Sequence, residues 1–528
     1  MRHALKGHPA QRPENDPSAE RPLVRVGRAR VALGLAALAT PAALVIASAA
    51  PALAAAGAAP RATAGSANGT ACTDSWVGKA TVPQWTNARN WSNGVPVAAS
   101  DVCIGGGVDV LTGVSITVHS IQLGPDAGIA LEGTTANPLT AKIATFIDLT
   151  GKVSRIDMTD ATIKAARISD QGGGTIFTDG PCHLTSPDIT FGNGGSVQAA
   201  NGTTTLASLP QLSNGTLTGV SINTDNATVL LPGDITRLVS ANIGVGANSA
   251  IKDAQGRGAL TGLTSVDPQS SLSLATNLTL TGSSFTASGN VSVSGATLAS
   301  AGPVTQAQGN LSLSGAALNG TQTTIGQGAA LQATHSIIVG NLVNDGNAAV
   351  IGSAASQVTG SYTQGPAANL TAGFTGLPGA EAPLAVTGRA TLAGTLSARD
   401  FLPIRGATAP AITFAARSGG FTHVSLGFTQ VTKAHEIDVV VQPQIAASPT
   451  TVAPRKTVAV TGLSFGFGTT VRIFLDHTNG TPLTSTVAGY NGSIAATVKI
   501  PAKTPAADHA LIAVGSDGST ASVAIIVR

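Results

Sequence analysis

The chain has 528 residues, of which 10% are charged and 3% aromatic, against roughly 25% charged in an ordinary globular domain; Gly, Ala, Ser, Thr and Asn take up the difference. A hydrophobic content of 43% with so little charge excludes the composition of a disordered chain, which pairs low hydrophobicity with high net charge. The formal charge of +3 is N-terminal, because residues 1–54 hold seven Lys/Arg against three Asp/Glu; the rest, near −1, carries no basic footprint for nucleic acid or an anionic membrane.

In chain order, residues 1–54 read as an export signal. Arg25, Arg28 and Arg30 lead into the apolar stretch Val31 to Ala50, which ends at Ala52-Leu53-Ala54, a small-x-small cleavage site. A stretch of that length also approaches the ~20 residues of an uncleaved anchor, but Pro41 and the Ala-rich composition favour cleavage. With no Arg-Arg pair the general secretion route is expected. The mature protein is then expected outside the cell or at its surface, free of the membrane, and Ala524 to Arg528 shows no wall-sorting signal. Residues 55–71 are a small-residue linker expected to be disordered.

Residues 72–107 form a Trp-rich segment expected to act as an N-terminal cap. Cys72 and Cys103 bracket Trp76, Trp85 and Trp91, while Cys182 stands alone. A 72–103 disulfide would close a loop of about thirty residues, and the chain-entropy model gives it roughly 3–4 kcal/mol. Neighbours on a strand face opposite ways, so Cys182-His183 is not a joint site.

From Val108 to Val441, short apolar strands alternate with Gly, Asn and Asp, and no helical period is sustained. GNVSVSGATL at Gly289–Leu298 recurs as GNLSLSGAAL at Gly309–Leu318, and TNLTLTGSSF at Thr276–Phe285 is a looser copy. The 20-residue interval fits one coil of a β-solenoid, whose rungs bury their apolar rows only against one another. The third copy, 13 residues earlier, fits a strand on another side of a coil. Residues 443–528 read as a small β-sandwich of about seven strands. Its core is expected to hold Val458, Val460, Val471, Ile473, Ile494, Val498, Leu511, Ala513 and Val523, with Gln442 to Thr450 an exposed linker before it.

Trp85 to Gly105, with its W…NWSNGVP…DVCIG spacing, resembles the N-terminal cap of secreted bacterial β-solenoid proteins. The body resembles the passenger-type repeats of bacterial autotransporters and adhesins, through NGTLTG at Asn214–Gly219, GNLVNDG at Gly340–Gly346, GSYTQGPAANL at Gly360–Leu370 and LAVTGRATLAGTL at Leu384–Leu396. The tail resembles bacterial Ig-like modules through TVAVTG and GSIAATVKIP. The resemblance implies an all-β chain, a right-handed parallel β-solenoid (β-helix) followed by an Ig-like β-sandwich, acting in surface structure or adhesion without catalysis or cofactor.

Chemistry is sparse. Asn223-Thr224-Asp225 matches the N-T-D of polygalacturonase-type enzymes, which use paired carboxylates, but the Asp-Asp, G-H-G and R-I-K partners are missing, so an Asx-rich turn is expected there. Asp253 with Asp267, and Asp157 with Asp160, lack the converging spacing of a Ca2+ loop. The histidines fall singly, without metal-ligand spacing. The G-x-S-x-G spacing occurs at Gly462 to Gly466, but no helical pattern follows it, so no nucleophile elbow is expected. The glycine runs at Gly105–Gly107 and Gly172–Gly174 lack the Lys and helix of a phosphate loop. Trp76, Trp85 and Trp91 are candidate glycan contacts, although they also suit the apolar filling of a cap. A carbohydrate- or cell-wall-binding scaffold, partnered by surface glycans or wall polymer, is the first alternative, and a polysaccharide lyase or hydrolase the second.

Overall fold

A computed structural model describes residues 71–528, apart from 151–152, 193, 377–380, 402–406 and 491; the expected signal and nearly all of the linker lie outside the described residues. Its first unit of structure is the alternating strand. In Asn290–Ser294, Val291 and Val293 are buried while Ser292 and Ser294 point away, as period-2 patterning requires. Val291 then lies opposite Leu311, and Val293 opposite Leu313, in a parallel ladder, so the two closest repeats are one turn apart. Leu278–Leu280 does not join that ladder. It pairs with Thr297–Ser300 on another side of the coil, as the 13-residue offset predicts.

Repeating this arrangement gives a parallel β-solenoid of about 13 turns. One inward column runs without a break from Val110 through Ile129, Ile156, Ile176, Val197, Ile222, Ile243, Leu272, Val291, Leu311, Leu331, Ala348 and Leu370 to Leu396, and all of these side chains are buried. A second column stacks Leu298, Leu318, Ile338, Val358, Val386 and Phe414. Each fully buried aliphatic side chain contributes about 1.5–3 kcal/mol relative to exposure. Where strands run through a corner, as in Ala317–Thr334, the register shifts at the bend between Asn319 and Gln322.

One corner explains much of the Asn and Gly content. Asp160, Gly180, Asn201, Asn226, Gly295, Gly315 and His335 follow strands of the aliphatic column and have positive φ, from 43° at Asp160 to 76° at Gly180. Left-handed backbone suits Gly and, next best, Asn and Asp. The amides stack as well: Asn226 Nδ2 donates to Asn201 Oδ1 at 3.1 Å, and Asn201 Nδ2 to Asp179 Oδ1 at 3.2 Å. Asn223–Asp225 is therefore not the expected turn. It lies inside the strand Ser221–Asp225, and the turn residue is Asn226.

Interior amides peg the coil elsewhere. Gln306, Asn344 and Gln364 are buried, and their side chains donate to the carbonyls of Gly289 (2.6 Å), Asn369 (3.1 Å) and Thr395 (2.9 Å). Tyr362 donates to Gln364 Oε1 at 2.6 Å; burial pushes its phenol pKa far up. Cys182 is a free thiol at 0% exposure, with His183 on the opposite, exposed side.

The ladder ends with a reversal. Glu436–Val441 runs antiparallel to Thr408–Gly419 and to Phe428–Thr432, so a hairpin covers part of the last coil's edge. The chain then enters a new sheet almost at once. Gln444–Ser448 pairs antiparallel with Thr457–Leu463, which corrects the expected exposed linker over Gln442 to Thr450. Its Ser, Ala and Pro content conceals a strand whose one strong apolar position is Ile445, buried in the C-terminal core.

That C-terminal region forms sheets of three and five strands around one cluster. The cluster includes Val458, Val460, Val471, Ile473, Ile494, Val498, Leu511 and Ala513, with Val523 packed against it from a partly buried position, and adds Phe465, Ile525 and Val527. His509, on Ala507–Gly515, places Nδ1 2.8 Å from Asp476 Oδ2 and Nε2 2.9 Å from the Pro505 carbonyl. Both partners only accept, so making both bonds requires the imidazolium. The Asp476 carboxylate, then the Pro505 carbonyl, raise the imidazole's pKa above its ordinary value against the smaller opposing effect of burial.

Two outcomes are expected. Leu313→Asp buries an unpaired carboxylate and costs several kcal/mol, whereas Ser312→Asp on the outer face stays within about 0.5 kcal/mol; equal shifts in urea denaturation midpoint contradict the alternation. A raised folded pKa at His509 means that its stabilisation is fully present below about pH 6.5 and is lost as pH rises through the folded value. Amide exchange over Ala507–Gly515, corrected for intrinsic rates, therefore speeds up toward alkaline pH, and His509→Gln removes that dependence; an unchanged dependence in the variant refutes the pairing.

Candidate functional site

The N-terminal cap begins with Asp74–Ser75, which pairs parallel with Asp101–Ile104 and so covers the first strand of the coil. Cys72 is bonded to Cys103, with Cα atoms 5.7 Å apart. Asn90 organises the loop between them: its Oδ1 accepts from the Ala80 amide at 2.8 Å, and its Nδ2 donates to the Val82 and Gln84 carbonyls. Buried Asp74 accepts from Ser92 Oγ and the Asn93 amide.

Within this frame the tryptophans touch one another edge to face. Trp76 and Trp91 have centroids 5.0 Å apart at 86°, and Trp85 and Trp91 4.8 Å apart at 64°. Trp91 Nε1 donates to the Trp85 carbonyl at 2.7 Å, which satisfies its buried polar atom. Trp85 and Trp91, at 2% and 4% exposure, belong to the same core as Val102, Ile104 and Val110. Trp76 is only partly buried. The rings are inclined rather than coplanar, and Trp76 alone keeps surface for a ligand.

The carboxylates singled out in the sequence are engaged by the chain itself. Asp253 accepts from the Gln255 and Arg257 amides and from Arg257 Nε at 2.7 Å. These bonds, opposing burial, hold its pKa below the usual carboxylate range. Asp267 pairs with Arg237, and Asp157 lies 3.2 Å from Arg155 Nε. Arg155 also reaches Asp109, two rungs away, because Gly128 lies between them with no side chain. Among the described residues no group of three or more His, Cys, Asp and Glu side chains is arranged to hold a metal ion.

Two surface features emerge that the sequence reading did not single out. The outward positions of the strands bearing the aliphatic column form a ladder of small uncharged polar groups: Ser221, Asn242, Ser271, Asn290, Asn310 and, beyond Ala330, Asn347 and Asn369. Asn242 donates to Ser221 at 3.1 Å, and Ser271 to Asn242 at 2.7 Å. Between Asp267 and Glu381 the only charged residue is Asp345. Neighbouring rungs are about 4.8 Å apart and like-facing residues within a strand about 6.7 Å apart, so from Ser271 to Asn369 this surface is a regular, neutral grid, whereas the same positions of earlier turns include Arg155 and Asp109. Its signal was present in the sequence as a long interval without Lys, Arg or Glu.

The second feature is in the C-terminal sheets. Phe467 and Tyr490 are 67% and 75% exposed, with ring centroids 5.6 Å apart at 67°. Only these two described aromatic side chains are more than half exposed. They sit on two segments joined through the Gly468 amide to the Ala488 carbonyl at 3.0 Å and the Phe465 amide to the Gly492 carbonyl at 3.2 Å.

Reduction of the 72–103 bond is expected to loosen the cap by about 3–4 kcal/mol in the chain-entropy model, exposing Trp85 and Trp91. Tryptophan emission then shifts to longer wavelength and amide exchange over Asp101–Ile104 rises; unchanged emission in Cys72→Ser shows that the cap is held without the bond. Compared with protein-family models and with curated proteins, the chain matches none.

Proposed function

We propose that the chain is a secreted or cell-surface protein with a structural or adhesive role, its solenoid right-handed as parallel crossover connections generally are and its C-terminal sheets an Ig-like sandwich. The observation that carries this reading is the neutral grid over an unbroken aliphatic column, a surface built by repetition rather than around one reactive point. Function on repeat folds resides in extended surfaces. The Cys72–Cys103 disulfide supports an oxidising compartment.

Carbohydrate or cell-wall binding is the second reading, favoured by the same grid. A lattice of hydroxyls and amides without charge suits a neutral polymer more than an acidic one, since it offers hydrogen bonds and no ion pairs. At the cap, the ring that would contact sugar is Trp76, with Trp85 and Trp91 beneath it. Neither reading includes catalysis or a cofactor.

The test is co-sedimentation of the full chain with insoluble polysaccharides and peptidoglycan, with a reducing-sugar assay on the supernatants. Retention without release of reducing ends is expected. Release that increases with time would instead favour a lyase or hydrolase.

A further inference from the structure

Phe467 and Tyr490 invite explanation because the rest of the molecule treats aromatic rings so differently. The chain holds few, and it covers Trp85, Trp91, Phe285, Tyr362, Phe414 and Phe465 almost completely. Phe467 and Tyr490, the only described aromatic side chains more than half exposed, come from separate segments, are in contact, and lie at one tip. Phe465, two residues before Phe467, is at 0% exposure; on a strand the two would share a face, but the strand ends at Leu463 and the backbone turns through Ser464 at φ 65°, so one ring enters the core and the other faces solvent. Exposed apolar side chains continue on the same two segments, with Leu463 on one and Val487 on the other.

The surroundings restrict what the tip can hold. Residues 463–469, LSFGFGT, and 487–492, VAGYNG, contain no charged side chain, so neither a phosphate nor an acidic polymer would find an ionic partner in them. The carboxylate of exposed Asp517 lies against Gly466, between Phe465 and Phe467, and its negative charge opposes an anionic ligand. An aromatic side chain offers some 150–250 Å², so the two together provide at most about two-thirds of the ~800 Å² per partner of a specific protein interface. The edge-to-face arrangement, at 67°, leaves ring faces open to solvent. An open, narrow aromatic platform with a carboxylate and no cation beside it matches the apolar face of a neutral pyranose, whose outward hydroxyls remain solvated or bond to nearby polar groups.

We infer that the Phe467–Tyr490 tip is a binding site for a neutral polysaccharide, the sugar ring stacking on the aromatic pair. This rests on the glycan-binding reading above and assigns it to the C-terminal sheets rather than to the cap or the solenoid face. Both rings lie outside the cluster of buried side chains, so their removal leaves the core intact.

The test uses the full chain with insoluble β-1,4-glucan and chitin as neutral probes and an acidic polysaccharide as the charged one. Phe467→Ala combined with Tyr490→Ala is expected to weaken retention on a neutral probe about tenfold or more, as truncation of an aromatic hot spot does, with the thermal transition unchanged. Tyr490→Phe retains binding, because stacking needs the ring and not the hydroxyl. Retention of the double variant equal to that of the unaltered chain overturns the site. If retention instead falls only in Ser292→Lys with Ser312→Lys on the solenoid grid, or only in Trp76→Ala, the glycan reading stands and this placement of it fails. No retention of the unaltered chain on any polysaccharide overturns both. Preference for the acidic polymer, or a dimer in sedimentation velocity that the double variant abolishes, also overturns the proposal.

Discussion

The stacking of one aliphatic side chain on the equivalent side chain of the next turn is the interaction on which this molecule depends. No single rung has a core. Val291 and Val293 would be exposed on an isolated turn, and each becomes buried only because Leu311 and Leu313 lie one turn ahead and Leu272 and Leu274 one turn behind. Stability is then nearly a sum over neighbouring turns, and register must hold everywhere, since a slip of one residue would turn the whole apolar row outward.

Given that column, the rest of each rung has limited freedom. A chain that must return to the same register roughly every twenty residues needs corners, and a corner with left-handed backbone selects Gly, Asn or Asp. Outward positions meet their own counterparts about 4.8 Å away, where like charges would repel and small polar groups pair, as Asn242 does with Ser221 and Ser271. Some charges are answered by an opposite charge within a turn or two, as at Arg237 with Asp267 and Arg155 with Asp109, while Lys142 and Lys164 lie opposite one another at exposed positions of neighbouring rungs. The Asn- and Gly-rich composition thus follows from the architecture, and the neutral surface of the later turns is compatible with it.

This logic also marks how far the sequence was legible. The repeats at Gly289 and Gly309, the inward valines and leucines, the different side taken by Leu278 and the pairing of Cys72 with Cys103 could be read because each depends on local spacing. What escaped depends on partners distant along the chain. Gln444–Ser448 looked like a linker because only Ile445 signals its burial, and it becomes a strand by pairing with Thr457–Leu463. Asn223–Asp225 looked like a turn because its composition is that of one, but register with Ser196–Ala200 and Asn242–Val245 keeps it in a strand. Phe467 and Tyr490 lie 23 residues apart in the sequence, and no pattern in one dimension brings them together. Among the candidate glycan contacts, composition drew attention to three tryptophans, while exposure separates Trp76 from the two beneath it.

The antiparallel hairpin at the end of the solenoid bears on a hazard inherent in such folds. A parallel ladder is self-similar along its axis, so an uncovered last turn is a template on which the first turn of another molecule could continue the same register, and successive additions would make a filament. By reversing direction in Glu436–Val441, the chain presents the hydrogen-bond spacing of an antiparallel partner over part of that edge, and the strand left outermost, Phe428–Thr432, is short and followed directly by Lys433. Short edges beside a lysine discourage further pairing. The hairpin therefore closes part of that edge to further parallel pairing, which works against open-ended growth of an architecture whose own geometry contains no instruction to stop.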